Sequence, residues 1–321
     1  MPDRPTRLPA LALACAGLLS LAPALVAPAL AASRPRPAPP VRLARAAADS
    51  IRAAIEQDRR DTEEWLRTSP TSYFAAILRR DFEERASLTV GRDGSNDVRV
   101  DDPEIAARHL RVTVVGDSFR VEALDEAATF TVRGESRRAA TLPPSTIGIG
   151  RFQVRLSHQR FPALIVFDPK SPRYAEYRGL SWYPVDFRYR FELPLTPNPR
   201  PDTVIVMSTR GNARRALRAG WFDFAIGGRA CRLEAHRLLE PGVGEHDLGI
   251  FFRDATTGKE TYSVGRYLDV QPLGDGRYLL DFNLAYNPAC AVSDHYNCPI
   301  PTKDNTLKVA IRAGEKDSHY H

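Results

Sequence analysis

The sequence predicts a mainly β protein: two antiparallel β units in succession behind a short helical N-terminal arm. Three observations carry this. Short runs rich in β-branched and aromatic residues recur from Leu88 to Arg312. Turn signals built on Gly, Asp and Pro separate them, Gly227-Gly228 between two apolar runs being the sharpest. No helical pattern of about 10–15 residues alternates with the strands, which argues against a parallel α/β sheet. A chain of 321 residues has the length of about two domains. With 43% hydrophobic and 26% charged residues it reads as globular, neither disordered nor a multi-span membrane protein.

The first element is a targeting pattern. Arg4 and Arg7 open the chain, no charge follows from Leu8 to Ser33, and Ala29-Leu30-Ala31 supplies a small-residue exit. Residues 1–31 therefore read as a secretory signal peptide cut after Ala31. The alternative is a retained membrane anchor, which Pro23 and Pro28 oppose by interrupting a continuous helix. The expected location is extracytoplasmic, periplasmic or secreted, with no stable membrane span after cleavage. Residues 32–42 form a Pro/Arg-rich linker, extended and semi-rigid.

Residues 43–86 make the helical arm. From Leu43 to Arg67, the residues Ile51, Ile55, Thr62, Trp65 and Leu66 recur near helical spacing, and Ser69-Pro70 stops the pattern. A second short helix is expected over Tyr73–Phe82, with Trp65, Phe74 and Ile77 as a docking stripe for the next domain.

Residues 87–159 form the first β unit, with strands expected at Leu88–Val90, Val98–Val100, Leu110–Val115, Phe119–Ala123, Thr129–Val132 and Phe152–Leu156. Residues 160–321 form the second, with Ala163–Phe167, Val185–Leu193, Thr203–Met207, Trp221–Ile226, Ala230–Ala235, Leu248–Arg253, Thr261–Val270, Tyr278–Leu284 and Leu307–Arg312. Thr256-Thr257-Gly258 and Gly274-Asp275-Gly276 mark further tight turns.

Charge excludes one partner class. The net charge of +6 and pI near 9.2 resemble those of a nucleic-acid-binding protein. Yet residues 1–45 hold six of the 45 basic groups and only one of the 39 acidic groups, leaving 39 against 38 in the rest. The domains are electrically balanced, so nucleic acid is not expected as a partner.

The first β unit carries Gly91-Arg92, Asn96-Asp97, Arg108-His109 and a late Gly148-Ile149-Gly150. Over about residues 88–157 it resembles the forkhead-associated (FHA) domain, a β-sandwich that binds phosphothreonine. The resemblance implies an Arg after the first Gly and a Ser-Arg pair ahead of the His to hold phosphate, and an Asn-Gly pair to shape a further loop. Arg92 and His109 match. Ala106 and Ala107 stand where Ser and Arg are implied, and Val132-Arg133-Gly134 where Asn-Gly is implied. Two charge-assisted bonds to phosphate are thereby lost, which leaves Arg92 and Arg108 as a degenerate phosphate-binding pair. The expectation is an FHA-like fold in a structural role more than a phosphopeptide reader.

In the second unit the runs RYAEYRGLSWYPVDFRYR, GWFDFAIGGRACRLEA, LGIFFRDATTGKETYSVGRYLDV, YLLDFNLAYNPACAVSDHYNCPIP and DNTLKVAIRAGEK occur in order. Over roughly residues 160–316 they resemble the bacterial domain of unknown function 1684, with Ala289 where that family more often shows Pro. The resemblance implies no particular activity.

Strand parity supplies a candidate site. Asp281 and Asn283 share one face of Tyr278–Leu284, and Glu260, Tyr262 and Arg266 one face of the preceding run. If the turn at 274–276 pairs the two runs, these five groups converge as a polar ligand or acid–base site beside Cys290 and Cys298. A solvent-facing sheet with a Glu–Arg pair would present the same residues.

Cys290 and Cys298 are expected to staple their Pro- and Asn-rich loop as a disulfide in an oxidising compartment, with Cys231 a core thiol. Zinc at Cys290, His295 and Cys298 is the alternative, on a spacing that matches no standard pattern. No nucleophile elbow, metalloprotease pair, phosphate loop or dinucleotide fingerprint is present, so no cofactor or metal is expected. The expected function is an exported envelope protein that binds a small polar ligand or another envelope protein. The alternatives are an extracytoplasmic hydrolase using Glu260 or Asp281 with Arg266, and a structural assembly protein.

Overall fold

The computed structural model describes residues 37–320. The signal segment, its exit at Ala31 and the first part of the linker lie outside the described residues.

One α-helix, Arg45–Thr68, opens the described chain. Ile55, Thr62 and Leu66 recur seven and four residues apart, which puts them on one buried face, and Ser69 ends the helix in extended backbone. The expected second helix over Tyr73–Phe82 is a correction: a turn leads into the strand Ala76–Asp81. That strand pairs antiparallel with Pro162–Phe167 at a sheet edge, so partners far along the chain outweigh local helical spacing. Of the docking stripe, Phe74 is buried and Trp65 packs against the same cluster, whereas Ile77 is 39% exposed on the strand's outer side.

The first β unit is a sandwich of two sheets. The six-stranded sheet runs Ala76–Asp81, Pro162–Phe167, Phe152–His158, Ser145–Ile149, Phe130–Val132, Glu135–Arg137. The five-stranded sheet runs Val98–Arg99, Ser87–Gly91, Leu110–Val115, Ser118–Ala123, Ala139–Leu142. Period-2 alternation turns Leu88, Val90, Leu110, Val112, Phe119 and Val121 inward against Ile147, Val154, Leu156, Leu164 and Val166 of the facing sheet. The unit thus takes its edge and its penultimate strand from segments outside the expected 87–159 span, because Pro162–Phe167 completes the sheet by pairing on both sides.

The second unit is built on a long hairpin, Ala213–Ile226 with Arg229–Leu238. Gly227 and Gly228 close it in left-handed backbone (φ +56° and +78°), as the two-residue turn requires. Its sheet runs Thr196–Pro197, Ala213–Ile226, Arg229–Leu238, Gly249–Phe252, Arg266–Asp269, with Thr203–Met207 also on the long strand. A separate three-stranded sheet holds Arg190–Pro194, Arg277–Asp281 and Gln271–Gly274. Between them Phe282 meets Phe191, Phe224 and Phe252 at ring-centroid distances of 5.4–6.2 Å. The expected strand Leu307–Arg312 is irregular and makes only a single bridge, Arg253 with Thr306, at its approach.

A third cluster, with Leu66, Tyr73, Phe74, Phe167, Phe251, Tyr267, Tyr286 and Cys298, joins the helix, the sandwich edge and the second unit. No helix among the described residues is long and apolar enough to cross a membrane.

Candidate functional site

The five residues expected to converge do not form one cleft. The strand Arg277–Asp281 pairs with Gln271–Gly274 and Arg190–Pro194, whereas Arg266–Asp269 lies in the other sheet beside Gly249–Phe252. The run read as a single strand, Thr261–Val270, is a turn-rich segment followed by four strand residues, and the chain changes sheets at Val270. Alternating polarity continues through that corner and so does not reveal it.

Each group then finds its own partner. Arg312 grips Glu260 with Nη2 at 2.7 Å, and the Tyr183 hydroxyl donates to it at 2.9 Å. The Arg312 hydrogen bond holds the Glu260 carboxyl below the ordinary range, which makes it a poor general base. Arg266 is buried and binds the Asp254 carboxylate at 3.4 Å and the carbonyls of Ile311 (2.8 Å), Ala313 (2.5 Å) and Glu315 (3.3 Å). It is a clamp for the C-terminal tail.

Asp281 accepts from Arg190 Nη1 at 2.5 Å and from the Asn283 N–H and amide at 3.0 and 2.8 Å. Asn283 holds the Asp186 backbone through both ends of its amide. The acid–base pair proposed for a hydrolase is therefore two ion-paired carboxylates in separate structural roles.

Tyr262 is the exception. With Thr209, Arg210, Cys290, Asp294 and Tyr296 it lines a cleft of about 490 Å³. Its hydroxyl lies 3.2 Å from the Cys290 carbonyl oxygen and 3.8 Å from the Cys290 sulfur. Thr209 is tied to the opposite strand of the loop: its N–H donates to Cys298 O at 2.9 Å, and Cys298 N–H to its hydroxyl at 3.1 Å. Arg210 reaches Asp294 O and the Asp81 carboxylate, both at 3.1 Å, so the sandwich edge braces the cleft wall.

The expected disulfide is a further correction: Cys290 and Cys298 are free thiols, as is Cys231. The two remain neighbours, with Cys290 N–H donating to Cys298 Sγ at 3.3 Å. The loop needs no covalent staple, because arginines from other elements hold its carbonyls. Arg173 takes Val292 O (2.5 Å), Arg79 takes His295 O (3.2 Å) and Arg214 takes Asn297 O (2.8 Å). Cys231 sits in the core of the second unit, where burial pushes its thiol up.

At the sandwich's loop edge, His109 is buried and its ring binds backbone on both sides, Nδ1 accepting from Ala106 N–H at 3.1 Å and Nε2 facing Thr129 O at 2.9 Å. The Asn96 amide donates to Ala107 O at 2.7 Å. A Cβ on Gly91 would stand 2.4 Å from Ala107 O, so only glycine fits there. The scaffolding of the loop is intact, while alanines stand at 106 and 107 where the resemblance to the FHA domain implies a hydroxyl and a guanidinium.

Residues 175–316 match the family described as Protein of unknown function (DUF1684). The chain belongs to the DUF1684 family through this region. Residues 88–147 match the FHA domain. Among solved structures, the chain is 35% identical to an uncharacterised protein of Haloarcula marismortui, over 48% of this chain and 85% of that one, with a TM-score of 0.39. The FHA domain of the CT664 protein from Chlamydia trachomatis is 19% identical over 26% of this chain and 76% of that one (TM-score 0.20). EmbR of Mycobacterium tuberculosis, solved with a low-affinity phosphopeptide, is 20% identical over 37% of this chain and 29% of that one (TM-score 0.21). None of the curated proteins matches.

Within the DUF1684 region, sequence reasoning found Tyr262 and Cys290 but missed Thr209, Arg210, Asp294 and Tyr296. Asp294 and Tyr296 sit between the two cysteines, so the loop itself was the available signal. Thr209 and Arg210 come from a turn some 80 residues earlier, and nothing local marks them.

Proposed function

We propose that this chain is an extracytoplasmic ligand-binding protein, with the cleft of the DUF1684 domain as its site and the FHA sandwich as a rigid support. One observation carries the reading: a concave site whose polar groups are fixed before any ligand arrives. Arg210 is held from two sides, Thr209 is locked into the loop backbone, and Tyr262 is buried with its hydroxyl toward Cys290. Preorganised polar groups lose little freedom on binding, which favours a small polar ligand carrying hydrogen-bonding groups.

The hydrolase alternative finds no support in Glu260 and Asp281, both already neutralised by arginines. Export rests on the uncharged Leu8–Ser33 run and its Ala29-Leu30-Ala31 exit.

Ligand screening by thermal shift is expected to yield a hit that Arg210→Ala and Tyr262→Phe each weaken about tenfold or more, a loss worth roughly 1.4 kcal/mol. Hits that both variants retain would sink the cleft as the site. N-terminal sequencing of protein recovered from the periplasm or medium is expected to begin near Ala32; an intact Met1 terminus on a cytoplasmic protein would end the export reading.

A second reading, phosphopeptide capture by the FHA domain, is favoured by one feature. Arg92 and Arg108 are exposed on the loop edge, and among the described residues neither side chain has a protein partner. Without the hydroxyl and guanidinium at 106 and 107, two point charges in water are worth little. Titration with a phosphothreonine peptide is expected to match the unphosphorylated control. Phosphate-dependent binding that disappears in Arg92→Ala would reverse the preference.

A further inference from the structure

We infer that Cys290 and Cys298 form a thiol–disulfide exchange site, in which Cys290 attacks a disulfide entering the cleft and Cys298 resolves the mixed disulfide. The inference rests on the cleft being a binding site, as proposed above, and deepens it by naming the substrate class.

The first ground is placement. The two cysteines are neighbours across an eight-residue sequence separation, the Cys290 N–H donating to Cys298 Sγ at 3.3 Å. Their access differs in the way exchange chemistry requires. Cys290 lines the cleft and retains 9% exposure, whereas Cys298 is 2% exposed and is not among the residues that line it. An incoming disulfide meets Cys290 first, and only an internal sulfur meets Cys298.

The second ground is the polar setting. The neighbouring Cys298, with the Tyr262 hydroxyl 3.8 Å from the Cys290 sulfur adding to that, holds Cys290 below the ordinary thiol range despite burial. Burial pushes Cys298 well above that range, and its neighbour Cys290 adds to the push while Arg214 opposes it. Tyr262 and Tyr267, themselves pushed up by burial, stay neutral and complete the surround. One thiol is prepared as nucleophile and the other is kept protonated until a mixed disulfide stands beside it.

The third ground is mechanical. Arg79, Arg173, Arg210 and Arg214 hold the loop carbonyls from outside, so the sulfur–sulfur bond is not what orders the loop. Bond formation and cleavage can therefore proceed in a folded frame.

The chemistry balances with a disulfide as oxidant. The Cys290 thiolate attacks one sulfur of R–S–S–R, that bond breaks, and the departing thiolate takes the proton that Cys290 gave up. Cys298 then loses its proton and attacks the Cys290 sulfur, and the second R–S⁻ leaves with that proton. The two cysteines lose two electrons and two protons, and the substrate gains both as two thiols.

The test uses the full mature chain, reduced. Alkylation followed by peptide mapping is expected to label Cys290 at least about tenfold faster than Cys231 near neutral pH, with a midpoint below the ordinary value of about 8.5. Cys298 is labelled only on unfolding. Tyr262→Phe, a positioning change, is expected to move that midpoint upward without altering the fold.

Oxidised glutathione and a peptide carrying one disulfide are run in parallel. Wild type is expected to lose two hydrogens and release two thiols per disulfide, and Cys298→Ser to trap one R–S– group on residue 290. Whichever oxidant reacts faster identifies the source.

Equal reactivity of Cys290 and Cys231, or no trapped adduct with either oxidant, would overturn the inference. So would a 290–298 bond that a glutathione buffer cannot reopen, since that marks a structural staple. The ligand hits from thermal-shift screening are read in Cys290→Ser. If they persist there while exchange fails, the cleft stands and the redox role falls; if hits are absent altogether, the binding reading fails by itself.

Discussion

Arg266→Ala is expected to destabilise the DUF1684 domain by about 3–5 kcal/mol, the cost of breaking a buried pair from one side. The guanidinium is 1% exposed and gives its two Nη groups to Asp254 and three carbonyls of residues 311–315. Burial lowers its pKa and Asp254 opposes that, but a guanidinium remains charged in either case. Its removal leaves the buried Asp254 carboxylate without its counter-ion and frees the carbonyls of residues 311–315. Against a total stability of roughly 5–15 kcal/mol this is a large share, and at the low end of that range it leaves a substantial unfolded fraction. Denaturant unfolding followed by tryptophan fluorescence reads the loss. Arg266→Lys is expected to fall between, since an ammonium keeps the charge without the planar fork. A change below about 1 kcal/mol in Arg266→Ala would show that the clamp is not what holds the tail.

Gly314→Ala is expected to cost roughly 2–5 kcal/mol, by adding left-handed strain to a collision with backbone. Gly314 sits at φ +78°, and a Cβ there would stand 2.5 Å from Ala285 O and 2.6 Å from Phe282 O. Neither oxygen is the end of a flexible side chain, so the tail itself must shift, loosening the bond from Tyr183 N–H to Gly314 O. Gly276 separates the two contributions. It has φ +70° with open space around it, so Gly276→Ala should show strain alone, about 1 kcal/mol. Equal losses at the two positions in thermal or denaturant unfolding would mean that the close approach at 314 contributes nothing.

Arg266 and Gly314 both act on the tail, and the tail shows how differently local and distant information reads. The strand Thr203–Met207 and the hairpin at Gly227-Gly228 were legible because alternation and a glycine pair are properties of adjacent residues. The FHA-like texture and the DUF1684 motifs were legible for the same reason, as runs of consecutive residues in fixed order. Residues 307–312 read as another strand, because an apolar run gives no notice that its backbone will serve a buried arginine from residue 266.

The candidate site divides along the same line. Cys290, Cys298 and their Pro-rich loop announced themselves through composition. Their chemistry did not, because the staple expected between them is replaced by arginines from residues 79, 173, 210 and 214. Glu260, Arg266, Asp281 and Asn283 show the opposite failure. Their parity along each run is real, but the runs end in different sheets, so no register joins them.

Adjacent residues thus dictate the β class, the turns, the helix Arg45–Thr68, the neutral charge of the domains and the family membership, since each depends on spacing along the chain. Which strand pairs with which, where residues 261–270 change sheets, and which arginine holds which carbonyl were decided only on folding. Those contacts join residues up to some 220 positions apart, and their free energy comes from burial and hydrogen bonding that exist only once both sides are in place.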